Sequence, residues 1–224
     1  MLSLIVPTYN ERENIRPLWE GLTRHLEDFE AVFVDDNSPD GTAREIEALG
    51  DPRARLLSRP GKLGLGSAVM AGLVLASGEY VGMMDADLSH RPEDAARLYR
   101  VAREADITIG SRYVPGGKTV GWPLRRKVTS RGATLMARLV LWMRVKDPLS
   151  GLAIYRREVL DGLRGRLSAR GYKLLLEVLV KDRKSRVQEV PITFVERARG
   201  QSKLDTSEFT AFLRLLWELR GYRP

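Results

Sequence analysis

Short apolar runs alternating with helical patterns across residues 2–109 constrain this chain more than any other feature. Leu2 to Val6 reads as a buried strand, and residues 11–27 follow as a helix with Pro17 in or near its first turn. Residues 31–35 (AVFVD) form a second strand, closed by the turn-forming run Asn37-Ser38-Pro39-Asp40-Gly41. A helix over 42–49 and a third strand near 55–57 come next, and the glycine-rich stretch 59–66 opens a helix through Ala76. Residues 80–84 make a fourth strand, 92–104 a helix with Pro92 at its first position, and 107–109 a fifth strand. Such regular alternation predicts an α/β fold with a mostly parallel central sheet flanked by helices. Ligands of such sheets bind beyond the carboxyl ends of the strands, which selects the loops at 7–11, 35–40, 85–90 and 110–113.

Residues 114–224 are patterned differently. A long helix over 123–144 is basic at its start and apolar near its end, and 146–151 reads as a loop. A helix over 172–182, a strand over 187–195 and a last helix over 206–219 complete the chain. The last helix places Phe209, Phe212, Leu213, Leu216 and Trp217 at core-type spacing. With no repeat and no low-complexity linker, one domain over 1–224 is expected.

Composition narrows the chemistry. Cysteine is absent and only His25 and His90 carry imidazoles, so thiolate and zinc sites are disfavoured. Any metal is held mainly by oxygen, which points to magnesium or manganese. A formal charge of +8 calls for an anionic partner: nucleic acid, an anionic membrane surface or a phosphorylated ligand. Aromatic residues make up only 7% and form no basic-aromatic platform, which argues against nucleic acid. No secretory signal opens the sequence and no run approaches the ~20 apolar residues that span a bilayer, so a cytoplasmic location is expected.

Asp85-Ala86-Asp87 follows the fourth apolar run directly. Residues i and i+2 of an extended segment point the same way, so both carboxylates face one ligand. Two converging carboxylates repel unless a cation lies between them, and magnesium or manganese accepts that arrangement while keeping positions for phosphate oxygens. Asp36, at the end of the second strand, suits a ribose hydroxyl or a base edge, while Asn37 and Asp40 suit the turn. Tyr9 offers a ring to a base or ribose and Glu11 a carboxylate to a hydroxyl, though Asn10 or Glu11 is also placed to cap the next helix. Residues 59–67 (RPGKLGLGS) lack the Gly-Lys-Ser/Thr ending of a phosphate loop, so Lys62 is not assigned to phosphate.

Val6-Pro7-Thr8-Tyr9-Asn10-Glu11, residues 34–41 (VDDNSPDG), Asp85-Ala86-Asp87-Leu88-Ser89-His90 and Gly110-Ser111-Arg112-Tyr113 occur in order. Together they resemble the dolichol-phosphate (polyprenol-phosphate) mannosyltransferases of glycosyltransferase family 2, which have a GT-A fold. The likeness extends to Ser130-Arg131-Gly132, residues 147–151 (DPLSG) and residues 197–203. It implies that Pro7, Tyr9, Glu11, Val34 and Asp36 cradle the nucleoside. Asp85 and Asp87 would hold metal and diphosphate, with Ala86 and Ser89 lining the same site. Family members often carry Gln at the position of Ser89. Arg197 and Lys203 resemble a late basic pair that closes over the donor, and Arg112, Arg126 and Ser130 the group that receives the acceptor phosphate. The donor would then belong to residues 1–113 and the acceptor to 114–224, with 122–144 as a membrane-interface helix.

The implied reaction moves a hexose, with GDP-mannose preferred over UDP-glucose, onto a polyprenyl phosphate with inversion. A phosphate monoester has its second pKa near ~6, so the acceptor is mostly dianionic at neutral pH and needs cationic positioning rather than a base. Asp147 therefore has no proton to remove and is expected to shape a loop or cap a helix. A hydroxyl acceptor would instead require a catalytic carboxylate. The expected location is the cytoplasmic face of the membrane, through peripheral contact or a membrane-anchoring partner.

Overall fold

The computed structural model describes residues 1–167, 174–196 and 206–222, without the side chains of 206–209. The chain begins with β1 (Leu2–Thr8), α1 (Arg12–His25), β2 (Phe29–Asp35), α2 (Thr42–Glu47), β3 (Ala54–Ser58) and α3 (Leu65–Leu75). It continues through β4 (Tyr80–Met83), α4 (Pro92–Ala102), β5 (Ile107–Ser111), β6 (Lys118–Val120) and α5 (Leu124–Val140). Then come β7 (Ala153–Arg156), α6 (Arg157–Gly162), α7 (Leu174–Lys181), β8 (Val187–Pro191), β9 (Thr193–Val195) and α8 (Thr206–Arg220).

Seven strands form one sheet in the order β3-β2-β1-β4-β7-β5-β8, and β6 pairs with β9 in a small second sheet. β1 lies parallel to β2 (Leu2 opposite Phe29, Val6 opposite Phe33) and to β4 (Leu2 opposite Tyr80). β2 is buried along its whole length and β1 nearly so, as expected of strands covered by helices on both faces. One core cluster joins Leu4, Val6, Phe33 and Met84 to Leu18 and Leu22 of α1 and Leu98 of α4. The other joins Ile5, Val32 and Val34 to Val69 and Leu73 of α3. At Gly72 the helix lies so close to the sheet that an added Cβ would sit 2.6 Å from Ile5 Cγ2.

The sheet is mostly parallel, but β7 runs antiparallel to both β4 and β5. Its four residues were not legible as a strand, because so short an apolar run merges with the preceding loop. Pro17 is the sixth residue of α1, beyond the first turn, and the buried face of Ile15, Leu18, Trp19 and Leu22 outweighs its missing amide. The helix expected to reach residue 144 ends at Val140. Trp142 takes a left-handed φ of 54°, and Leu141 and Met143 amides bond back to Ala137 and Arg138 carbonyls, a Schellman-type stop. The strand expected over 187–195 is two strands in two different sheets, divided after Pro191.

At the edge opposite the strands' carboxyl ends, Glu30 ties three segments together. Its carboxylate accepts Ser3 Oγ at 2.6 Å, Ser77 N and Oγ at 2.7 Å each, and Arg55 at 3.0 Å. Burial pushes this carboxyl up, and the hydrogen bonds outweigh it and hold the pKa at about 2. An acid whose folded pKa lies below its unfolded value stabilises the fold above the latter. That contribution, about 3 kcal/mol in full, is expected to be lost as pH falls from 4.5 towards 2. Urea unfolding against pH checks this: Glu30→Gln should be less stable at neutral pH and show a flatter acid limb.

Candidate active site

β7 reverses direction between β4 and β5, so β1, β2, β4 and β5 all run the same way and their following loops share one edge. A cleft of about 220 Å³ opens there. Pro7, Tyr9 and Glu11 line it after β1, Asp36 after β2, and Asp85, Ala86 and Asp87 after β4. Seven of the side chains singled out from the sequence are thus brought together. Val34 is not among the lining residues; its side chain packs in the core towards α3.

Local bonding explains how the carboxylates are presented. Asp35 takes the turn role, accepting Thr8 Oγ1 at 2.9 Å, Ser38 N at 2.9 Å and Ser38 Oγ at 2.6 Å. Asp36 is thereby free to turn into the cleft, where buried Arg59 donates to it from Nε at 2.5 Å. Arg59 also reaches Ser67 Oγ at 2.7 Å and the Gly64 carbonyl at 3.1 Å, which fastens the glycine-rich loop beside the cleft. Neither Asn10 nor Glu11 caps α1 with its side chain; Asp40 accepts the Arg12 amide at 3.2 Å instead. Lys62 does line the cleft, its ammonium 4.4 Å from the Tyr9 ring centroid. Sequence reading set Lys62 aside because its loop lacks a phosphate-loop pattern, and its place beside Tyr9 emerges only in the fold.

Three of these loops hold a non-glycine residue in the left-handed region: Asn10 at φ 60°, Asn37 at 57° and Leu88 at 60°. Asparagine tolerates that conformation, whereas leucine does not readily. Leu88 turns the chain so that Ser89 N donates to Asp87 Oδ1 at 3.0 Å. Ser89 Oγ itself is buried without a partner among the described residues and does not line the cleft.

Behind Asp85 lies His90, 1% exposed and packed edge-on against Phe194. Its Nε2 is 3.9 Å from Asp85 Oδ2. Burial and the charge of Arg112 push its pKa down to about 3, so the imidazole is neutral. Gly151 fills the remaining corner, where an added Cβ would be 3.0 Å from both Asp85 Oδ2 and His90 Nε2. Neither contact is visible in sequence, because both depend on β7 bringing residue 151 beside β4.

Among the described lining residues the cleft holds four carboxylates, of which Arg59 neutralises Asp36, and one cation, Lys62. No group of three metal-ligating side chains occurs among the described residues. Asp85 and Asp87 therefore fit an oxygen-seeking divalent ion that draws its other ligands from a phosphate and water, as magnesium commonly does.

The residues expected around an acceptor phosphate are already engaged. Arg112 donates to Asp147 from Nε and Nη2 at 2.8 Å each, and its amide donates to the same carboxylate at 2.9 Å. Asp147 is fully buried and shapes this loop. Arg126 reaches Glu196 at 3.1 Å and lies 4.3 Å from the Trp122 ring centroid, and Ser130 shares a 2.9 Å hydrogen bond with Tyr113. Arg197 and Lys203 lie outside the described residues.

This sheet carries an acidic cleft at its strand ends, and residues 3–164 match the family described as glycosyl transferase family 2. The chain belongs to glycosyl transferase family 2. It is 42% identical over 97% of its length to the dolichol-phosphate mannosyltransferase of Pyrococcus furiosus, of which it spans 63%. It is 37% identical to the Saccharomyces cerevisiae dolichol-phosphate mannosyltransferase and 41% identical to the Mycolicibacterium smegmatis polyprenol monophosphomannose synthase, covering 99% and 97% of this chain and 87% of each relative. Its fold is the GT-A fold. A glucosyl-3-phosphoglycerate synthase from Mycobacterium tuberculosis, solved with Mn2+, UDP-glucose and phosphoglyceric acid, superimposes with a TM-score of 0.73 at 22% identity over all of this chain and 81% of that one. The Pyrobaculum calidifontis mannosyltransferase solved with GDP-Man and Mn2+ gives 0.65 at 19% identity, over all of this chain and 65% of that one.

Removing one partner of a buried, bidentate ion pair strands the other charge. Asp147→Asn is therefore expected to lower stability by about 3–5 kcal/mol, measured by chemical denaturation. At a temperature where the variant is folded, transfer activity should largely persist; complete loss with intact folding would assign Asp147 a proton-transfer role.

Proposed function

We propose that the protein is an inverting, metal-dependent hexosyltransferase that moves mannose from GDP-mannose to a polyprenyl phosphate. The observation that carries this reading is the charge of the cleft. In a chain of net charge +8, the cleft at the strand ends is lined by Glu11, Asp36, Asp85 and Asp87. A diphosphate enters such a place only with a cation between it and the carboxylates. The names of the relatives support mannose and a prenyl phosphate as donor sugar and acceptor.

In this scheme Tyr9, Glu11 and Asp36 hold the nucleoside, and Asp85 and Asp87 orient the diphosphate end. Magnesium or manganese, when bound, supplies the positive charge that stabilises the leaving diphosphate. Lys62 adds cationic assistance beside the cleft, and Arg197 and Lys203 are assigned the same role on the family resemblance alone. The acceptor phosphate attacks the anomeric carbon from the opposite face, so an α-linked donor gives a β-linked product. Arg126 and Ser130 of α5 orient that phosphate, and Arg112, locked on Asp147, holds the loop after β5, whose Tyr113 bonds Ser130, and contributes field rather than a free fork.

A prenyl acceptor lies in lipid, so this reading includes peripheral contact with a membrane. No helix among the described residues is long and apolar enough to cross one. Leu124, Val128, Leu135, Leu139 and Trp142 are exposed along and just after α5, which supports an interfacial role for that helix. On α8, Phe212, Leu216 and Leu219 are buried, whereas Leu213 and Trp217 of the apolar set expected at core spacing are exposed and the Phe209 side chain lies outside the described residues.

Thermal melting with nucleotide sugars tests the donor site. GDP-mannose with manganese, near 100 times its Kd, is expected to raise Tm by roughly 5–10 °C. The shift should shrink without metal and vanish in Asp87→Ala, with transfer to a short prenyl phosphate falling on the order of 10²-fold. Stabilisation that ignores both metal and Asp87 would sink the reading.

A further inference from the structure

A second cavity, of about 450 Å³, opens between α5 and the loops that follow β5 and α5, and the scheme above leaves it unused. Arg112, Arg131, Thr134, Leu135, Arg138 and Lys146 line it. Residues 131, 134, 135 and 138 share one face of α5, so their convergence follows from helical spacing. Arg112 is neutralised by Asp147, but Arg131, Arg138 and Lys146 form no ion pair among the described residues, and no carboxylate is among the described lining residues.

Two polar atoms here are buried without hydrogen-bond partners among the described residues: Oγ1 of Thr134, a residue 4% exposed, and Nε of Arg138. Unmet donors of this kind are destabilising in a folded protein, and Thr134 could have bonded a carbonyl of its own helix. A tetrahedral anion answers them, offering several acceptor oxygens to a hydroxyl, a guanidinium and an ammonium at once. Leu135 lines the same cavity, and Leu139 and Trp142 follow it, 66% and 85% exposed. Cations and buried donors beside exposed hydrocarbon-seeking side chains fit an anionic head joined to an apolar tail.

We propose that this cavity seats the phosphate head of a lipid, at a site separate from Arg126 and Ser130. The head has two sources of the same chemistry, a prenyl phosphate held here before it moves to Arg126 and Ser130, or an anionic phospholipid of the bilayer. Only the first of these rests on the proposed function.

Titration of the full chain with decyl phosphate, with decanol as control, tests the site directly. Wild type should bind decyl phosphate saturably and more tightly than decanol. Arg131→Gln and Arg138→Gln should each weaken it about tenfold. Thr134→Val removes an unpartnered hydroxyl, so it should keep or raise Tm while weakening decyl phosphate about fivefold. A raised KM for a short prenyl phosphate, with the nucleotide-sugar KM unchanged, identifies the acceptor as the ligand. Loss of sedimentation with phosphatidylglycerol vesicles, with the acceptor KM unchanged, identifies a bilayer lipid; either outcome upholds the site. Unchanged decyl phosphate affinity in all three folded variants overturns it, as does equal affinity for decanol. If wild type transfers no sugar to prenyl phosphate, the proposed function fails while the decyl phosphate titration still decides this cavity.

Discussion

The structure depends on holding like charges near one another at the carboxyl ends of its parallel strands. Glu11, Asp36, Asp85 and Asp87 share one cleft, and their repulsion is contained by covalent geometry and local bonds rather than by a surplus of nearby cations. Arg59 cancels Asp36 and fastens the glycine-rich loop in the same contact. The left-handed Leu88 aims the Ser89 amide at Asp87, and neutral His90 with Gly151 closes the space behind Asp85. Each device leaves Asp85 and Asp87 lining the open cleft.

Strand polarity makes the cleft a shared place. β1, β2 and β4 are parallel neighbours, and a single reversal at β7 restores the same direction in β5. The loop after β5, carrying Arg112, is thus presented at the edge where Asp85 lies after β4. Aromatic packing continues the link: Phe194 touches both His90 and Trp122, and Trp122 lies under Arg126. The loop after β4 and the start of α5 are thus joined by contact through Phe194, although all three lie far apart in the sequence.

Much of the donor cleft was legible because strand-end loops are local features. Tyr9, Glu11, Asp36, Asp85 and Asp87 each lie within a few residues of an apolar run whose direction and end are written in the sequence. What was not legible depends on partners distant in the chain. Arg112 was expected to meet phosphate, and only the fold shows Asp147 already in its fork. Ser89 follows the metal motif at a ligand-like spacing, but the turn at Leu88 points its hydroxyl inward. Val34 shares the α3 side with Asp36 but lies within the fully buried strand, so its side chain packs on α3 rather than lining the cleft. The end of α5 was misread because a tryptophan, not a glycine, adopts the left-handed stop.

The insertion of β7 also orders events in time. β4 closes at residue 83, yet its second neighbour is not β5 but a strand that begins at residue 153. As the chain leaves the ribosome, β4, the strand that leads into Asp85 and Asp87, therefore keeps one edge unpaired for some seventy residues. The first half can collect its β1–β4 layer, but the strand-to-strand path to β5 has a gap until the later segment threads in. Such long-range closure slows folding and leaves a sticky edge exposed meanwhile. The loops after β4 and β5 thus become neighbours in one late step of assembly, when β7 is laid between the two strands.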